Sequence, residues 1–307
     1  MTISDFRHEK ASFLEKSPSP LLDIDCILMH FLRKDKAWIF THSDMQIEEA
    51  ADESVLSDIE RAITKRKTGF PVAYIVEKKE FYGIEFYVNK NVLIPKPDTE
   101  ILVEKAIELI KEHNFKLCAD ICTGSGCIAI ATAKNVSSDV HFFATDVSHL
   151  CLEVAQKNAD EILGKDESKR RIEFFLGEVL WPLIENENQE INEQRLDIIL
   201  SNPPYIPRIM VNDLLRDGRN EPILALDGDA CYIDTRDPNY GDGLSVIRVL
   251  VEQSYAKLKD DGYFLCETGE YNSDATVKLC SIAGFSNIQV LKDLEGAPRV
   301  VMARKIV

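Results

Sequence analysis

The chain has 307 residues, 45% of them hydrophobic and 29% charged, with a formal net charge of −16. That length allows two domains, and the balance of apolar to charged residues is that of a globular protein. Nucleic-acid binding through phosphates needs clustered Lys and Arg, so so acidic a chain points to no direct nucleic-acid partner.

The first residues, MTISDFRHEKASFLEKSPSP, carry charge throughout and lack the apolar core of a signal peptide. No apolar run approaches the ~18 residues of a membrane span. Eight cysteines are scattered along the chain without a CxxC pair, and no His sits at ligand spacing. We therefore expect reduced thiols, no metal site, no membrane contact and a cytoplasmic, monomeric protein.

From Leu22 to about Arg66 the pattern is helical, with Ile24, Ile27, Leu28 and Phe31 on one face and Leu56, Ile59 and Ile63 on another. The run Ser17, Pro18, Ser19, Pro20 suits the start of the first helix. Next, FYGIEFYVNKNVLIP alternates partly, with Gly83 and Asn89 as turn signals, and predicts a β-hairpin linker over 81–93. A helix should follow from about Asp98 to Glu112, its first turn acidic as the helix dipole prefers.

Strands and helices then alternate. Strands are expected at Leu117–Cys122, His141–Thr145, Ile172–Leu176, Leu196–Ser201, Tyr263–Glu267, Ile288–Leu291 and Val300–Arg304, with helices between most of them. Such alternation specifies an α/β fold with a mostly parallel, doubly wound sheet. The polar run ENENQEINEQ (185–194) reads as a surface excursion.

Two motifs carry chemistry. In ADICTGSGCIAIATA, Gly124, Gly126 and Ala129 form G-x-G-x-x-A between a strand and a helix. Small residues there let the backbone approach a ligand at the helix N-terminus. Asp146 ends the next strand, where a carboxylate accepts ribose hydroxyls. A nucleoside-bearing cofactor is implied, NAD or S-adenosylmethionine; the plainer alternative is a tight turn with a capping Asp.

The second motif is NPPY, Asn202 to Tyr205, at the carboxyl edge of the fourth strand of the alternating region. A planar NH2 group is a poor nucleophile because its lone pair is delocalised. Two acceptors binding both N–H bonds would localise that pair, and the Asn202 side-chain oxygen and the Pro203 carbonyl suit this, held stiff by Pro203 and Pro204. Tyr205 offers a ring to pack on a planar group.

Together with PVAYI, EFYGIEFYV, VLIPKPDTEILVE, EPILAL, GDGL and KDLEGAPRVV, these motifs make the chain resemble the release factor glutamine methyltransferase family (PrmC/HemK) from about Leu22 to Arg304. The resemblance implies a Rossmann-like, seven-stranded class I methyltransferase domain (94–307) after a helical domain that recognises the release factor (1–80). It implies methyl transfer from S-adenosylmethionine to the amide nitrogen of the GGQ-loop glutamine of a peptide-chain release factor. By position, it places Cys122, Thr123, Gly124, Ser125 and Gly126 along the cofactor and Asp146 on its ribose. Glu178 and Trp181 fall near the adenine, and Asn202, Pro203, Pro204 and Tyr205 at the glutamine amide, with Asn202 also beside the cofactor.

Some positions depart from the family. Cys122 replaces a frequent Gly, and Lys96 a usual Arg, which loses the bidentate fork. ACYIDTRDPN (230–239) is inserted, and ETGEYN (267–272) differs after its Glu-x-Gly. Glu267 reads equally well as facing the cofactor or as a solvated or structural carboxylate. The rival functions are a nucleic-acid adenine N6-methyltransferase, an NAD-dependent enzyme, which leaves NPPY unexplained, and a release-factor-binding module without turnover.

Overall fold

The computed structural model describes residues 1–15, 17–216, 220–230 and 240–306. The chain divides into two compact units, one built on Met1–Lys78, the other on Lys79–Asp213 and Glu221–Val307. Among the described residues, no helix is long and apolar enough to cross a membrane.

The first unit is helical: Ile3–Ser12, Pro20–Leu32, Lys36–Thr41, Ile47–Ala50, Glu53–Lys67 and Val72–Val76. The expected apolar faces meet in its core, where Ile24, Ile27, Leu28, Ile59 and Ile63 are buried. Pro20 opens its helix at the first helical position, where its missing N–H costs nothing. The helix Ile3–Ser12 was not expected. Its inward face carries Ile3 and Phe6 but also Arg7, 8% exposed, which breaks the apolar pattern. Arg7 grips Asp25 through Nε–Oδ1 at 2.5 Å and Nη2–Oδ2 at 2.9 Å.

A two-stranded hairpin, β1 (Lys78–Phe81) and β2 (Ile84–Tyr87), lies earlier than the expected 81–93. Tyr82 and Gly83 both take positive φ, 53° and 69°, which makes a two-residue turn matched to strand twist. Asn89 turns the chain afterwards by accepting the Asn91 N–H at 2.9 Å. Phe81, Ile84 and Phe86 are buried in the core of the second unit.

That unit holds β3 (Leu117–Ile121), β4 (His141–Asp146), β5 (Ile172–Leu176), β6 (Leu196–Ser201), β7 (Leu258–Glu267), β8 (Ser286–Lys292) and β9 (Pro298–Arg304). They form one seven-stranded sheet in the order β5-β4-β3-β6-β7-β9-β8. The pairs from β5 to β7 are parallel, and β9 runs antiparallel between β7 and β8. Helices cover both faces, as a doubly wound sheet requires. Leu102, Val103, Ile110, Ile128 and Ile130 lie in one core, and Val246, Ile247, Leu250, Cys280 and Phe285 in the other. The surface excursion contains a short helix, Gln189–Glu193. It is tied down by Lys257, whose buried Nζ donates to the carbonyls of Leu183, Ile191 and Asn192 at 2.6 to 2.9 Å. Apart from Ala230, the insertion ACYIDTRDPN lies outside the described residues.

Candidate active site

Strand order reverses between β3, from which the chain steps outward to β4, and β6, from which it continues to β7. Open α/β sheets bind ligands at such a switch point, beyond the carboxyl ends of the strands. A cleft opens there, lined by Cys122, Thr123, Gly124, Ser125, Asp146, Glu178, Asn202 and Pro204, with Leu93, Ile128, Leu150 and Val179 among its apolar neighbours. Its empty space, including what opens to solvent, is about 1280 Å³.

The glycine turn begins where β3 ends. Thr123 N donates to Thr145 O at 2.9 Å, and Gly126 N closes the turn on Thr123 O at 2.8 Å. Gly126 caps the helix Cys127–Asn135 at φ 79°, where a Cβ would come within 2.9 Å of Ile130 Cδ1 and 3.1 Å of Ala155 Cβ. Only glycine allows that approach. Cys122 takes φ 61° without being glycine, so the departure from Gly puts a side chain into a disfavoured backbone region.

Beneath the turn, Asp120 accepts the Thr123 hydroxyl at 2.6 Å and the Ala129 N–H at 3.1 Å through Oδ2. Its Oδ1 is buried with no partner among the described residues, and burial pushes the carboxyl up to about 7. Asn158, from the helix His149–Leu163, joins the turn to the hairpin. Its Nδ2 donates to Ser125 O at 2.9 Å and Tyr87 O at 3.0 Å, and its Oδ1 accepts Tyr87 N–H at 2.8 Å.

Asp146, at the end of β4, is 9% exposed. Its Oδ2 accepts Gly124 N–H and its Oδ1 accepts Ser148 N–H, both at 2.9 Å. Each oxygen keeps a lone pair for a ligand hydroxyl. Glu178 follows β5 on the cleft wall, whereas Trp181 is 43% exposed and does not line the cleft. The aromatic near the adenine that the resemblance implied is therefore not brought to the cleft by this geometry.

The NPPY turn leaves β6, all six of whose residues are buried. Asn202 lines the cleft and donates through Nδ2 to Thr99 Oγ1 at 3.1 Å. Pro203 is buried between two residues of the cleft wall, Asn202 and Pro204. Tyr205 stands behind the wall: Oη donates to Glu267 Oε1 at 3.2 Å, and its carbonyl accepts Asn272 Nδ2 at 2.9 Å. ETGEYN thus holds NPPY by two of its residues. Glu267 is 2% exposed, a structural carboxylate rather than a solvated one. Burial pushes it up to about 7, against the opposing pull of Thr99, Tyr205 and Arg299. A Cβ on Gly243 would come within 2.5 Å of Tyr205 O, so GDGL is packed against the NPPY backbone. Lys96 reaches Glu221 Oε1 with Nζ at 2.8 Å, a single contact where Arg would offer two, and Ile94 N–H donates to the same oxygen at 3.3 Å.

Sequence reasoning missed Thr99, Asp120, Asn158 and Glu221. A charge inside the apolar strand LCADI was a usable signal for Asp120. The others depend on partners 33 to 127 residues away.

Comparison with known proteins agrees with this geometry. The PrmC N-terminal domain model matches residues 5–76 and the methyltransferase small domain model residues 97–217. The release factor glutamine methyltransferase of Clostridium acetobutylicum is 34% identical over 282 residues, 92% of this chain and 90% of the relative. That of Koribacter versatilis is 34% identical over 290 residues, 94% of this chain and 92% of the relative. Among solved structures, the hMettl16 catalytic domain matches at a TM-score of 0.53 and 17% identity, covering 83% of this chain and 82% of that one, a likeness of fold alone. Identity of this level over nearly the full length of both curated relatives means that the chain belongs to the release factor glutamine methyltransferase family.

Proposed function

We propose that the protein methylates the side-chain amide nitrogen of the GGQ-loop glutamine in a peptide-chain release factor, with S-adenosylmethionine as methyl donor. The observation that carries this reading is the juxtaposition, in one cleft, of the glycine turn, Asp146 and Asn202, whose side-chain oxygen has no partner among the described residues.

The residues present fit the donor. Spare lone pairs on Asp146 suit a ribose diol, apolar side chains suit an adenine, and the carboxylates of Asp146 and Glu178 suit a cation. Thr123 to Ser125 hold the near wall, while Asp120 stiffens the turn from below. When bound, the donor supplies an electrophilic methyl group on a sulfonium.

On the acceptor side, Asn202 Oδ1 takes one N–H of the glutamine and the Pro203 carbonyl the other. The lone pair then localises on nitrogen and points along the cleft. That nitrogen would take the methyl group of the bound donor, whose sulfur would keep the bond pair, and, made acidic, would then release a proton. The prolines keep the acceptors in place, so that much of the acceleration comes from orientation. The helical unit is read as the part that grips the release factor, and no nucleic acid takes part.

The test is transfer of label from S-adenosylmethionine carrying a tritiated methyl group to a release factor, beside the same factor with its GGQ glutamine changed to alanine. Label on the first alone is the expected result. Label on both, or on neither, would overturn the reading.

A further inference from the structure

Thr99 ends the short turn Pro97–Thr99, is 1% exposed, and shares the cleft wall with Asn202. The Asn202 Nδ2 meets its hydroxyl at 3.1 Å, while Asn202 Oδ1 has no partner among the described residues. Behind Thr99 lies Glu267, at the end of β7, with Oε1 taken by the Tyr205 hydroxyl and Oε2 buried with no partner among the described residues. The Thr99 hydroxyl lies near enough to favour the ionised carboxyl, as do Tyr205 and the charge of Arg299, whereas Asp98 opposes it.

We propose that Thr99 and Glu267 are positioning residues that set which way the Asn202 amide faces. This inference rests on the reading that Asn202 receives the acceptor amide. A hydroxyl has one proton and two lone pairs. A buried carboxylate needs donors, because an unmet charge in the interior is costly. The Thr99 proton is therefore drawn to Glu267, and only lone pairs face Asn202. The NH2 end of Asn202 answers them, and its oxygen is left for the acceptor. Turned the other way, Asn202 would set its own N–H bonds against those of the incoming glutamine.

Glu267 fixes the sense of the whole chain of hydrogen bonds. Once protonated it becomes a donor to Thr99, the Thr99 proton is free to turn toward Asn202, and the amide loses its reason to face one way. The groups around Glu267 are the Tyr205 hydroxyl, the Arg299 guanidinium, the Asp98 carboxylate, and the Cys127 and Cys266 thiols. Burial holds both thiols neutral and pushes Tyr205 up, and it pushes Glu267 up to about 7.

The experiment measures kcat and KM for methyl transfer to the release factor, from about pH 6 to about 9, for wild type, Thr99→Val, Thr99→Ser and Glu267→Gln. Thr99→Val should lower kcat by about 10- to 100-fold, while KM for S-adenosylmethionine stays within about twofold. Thr99→Ser should restore most of the rate, and Glu267→Gln should remove the acid limb of the kcat profile. A wild-type kcat in Thr99→Val would overturn the proposal, as would Thr99→Ser failing like Thr99→Val, or an acid limb persisting in Glu267→Gln. Failure of wild type itself to label the factor would count against the proposed function alone. The orientation is then read directly from the Asn202 side-chain amide protons by NMR, assigned with Asn202→Asp. Their exchange with water should quicken in Thr99→Val and not in Thr99→Ser; equal exchange in wild type and Thr99→Val would overturn the proposal.

Discussion

Two carboxyls, Asp120 and Glu267, are pushed up to about 7, in each case chiefly by burial. Each holds a proton in the folded protein over a pH range in which the unfolded chain has released it. The stability this confers is complete below about pH 4 and is lost as pH rises through about 7. The free protein should therefore melt at a lower temperature at pH 8 than at pH 5.5. Glu267→Gln should flatten that dependence, by on the order of 1 to 3 kcal/mol; parallel melting curves for the two proteins would show that Glu267 titrates like an exposed carboxyl. Asn202→Ala should cost roughly 10² to 10³ in kcat while S-adenosylmethionine binding stays within about tenfold. Calorimetry beside turnover checks this, and full activity would remove Asn202 from the acceptor site. At this scale the sequence showed the residues that touch the cleft through their motif and concealed those that hold them. Asn202 announces itself by two following prolines, whereas Thr99 and Glu267 acquire meaning only when sheet and loop bring them within reach.

Elements were legible where one face is apolar and hidden where it is not. The strands of the second unit follow from apolar runs bounded by turns, and the helix Pro20–Leu32 from its i, i+3, i+4 spacing. Ile3–Ser12 escaped because Arg7 stands where an apolar residue would extend the stripe. Its charge is met by Asp25, a partner that no local pattern reveals. Arg7→Ala should destabilise the helical unit by about 3 to 5 kcal/mol, because Asp25 is then buried unpaired; Arg7→Met with Asp25→Leu should be near neutral. Urea unfolding followed by circular dichroism measures both, and equal losses in the single and double variants would contradict the pairing argument. The last turn of the helix Glu53–Lys67 carries Lys65, Arg66 and Lys67, and Arg66 is tied inward, its Nε reaching Asp23 Oδ2 at 2.6 Å within the same unit.

At the scale of the molecule, alternation of strands and helices was enough for the doubly wound sheet, because a right-handed crossover leaves few ways to lay down parallel strands. It did not specify the last pair, since two strands joined by the short turn at Asp293–Gly296 fit an edge in more than one order. The observed order makes β7 an interior strand. Phe264 lies there fully buried, stacked on Phe285 at 5.6 Å. Phe264→Ala should cost about 3 to 5 kcal/mol, measurable by urea unfolding; a loss below about 1 kcal/mol would place β7 at a solvated edge.

The placement of β9 also has a consequence in time. This strand is the last of the sheet in chain order, yet it sits inside it: Val300 pairs with Glu267, and Arg299 O accepts the Thr268 N–H at 2.8 Å. A ribosome delivers the glycine turn, Asp146 and NPPY long before residues 298–304 emerge. On the proposed roles, the residues of the donor half of the cleft are made first, while Glu267, the proposed brace of the acceptor amide, gains its β9 neighbour only with the last strand. The order of synthesis then runs from holding the donor to aiming the acceptor.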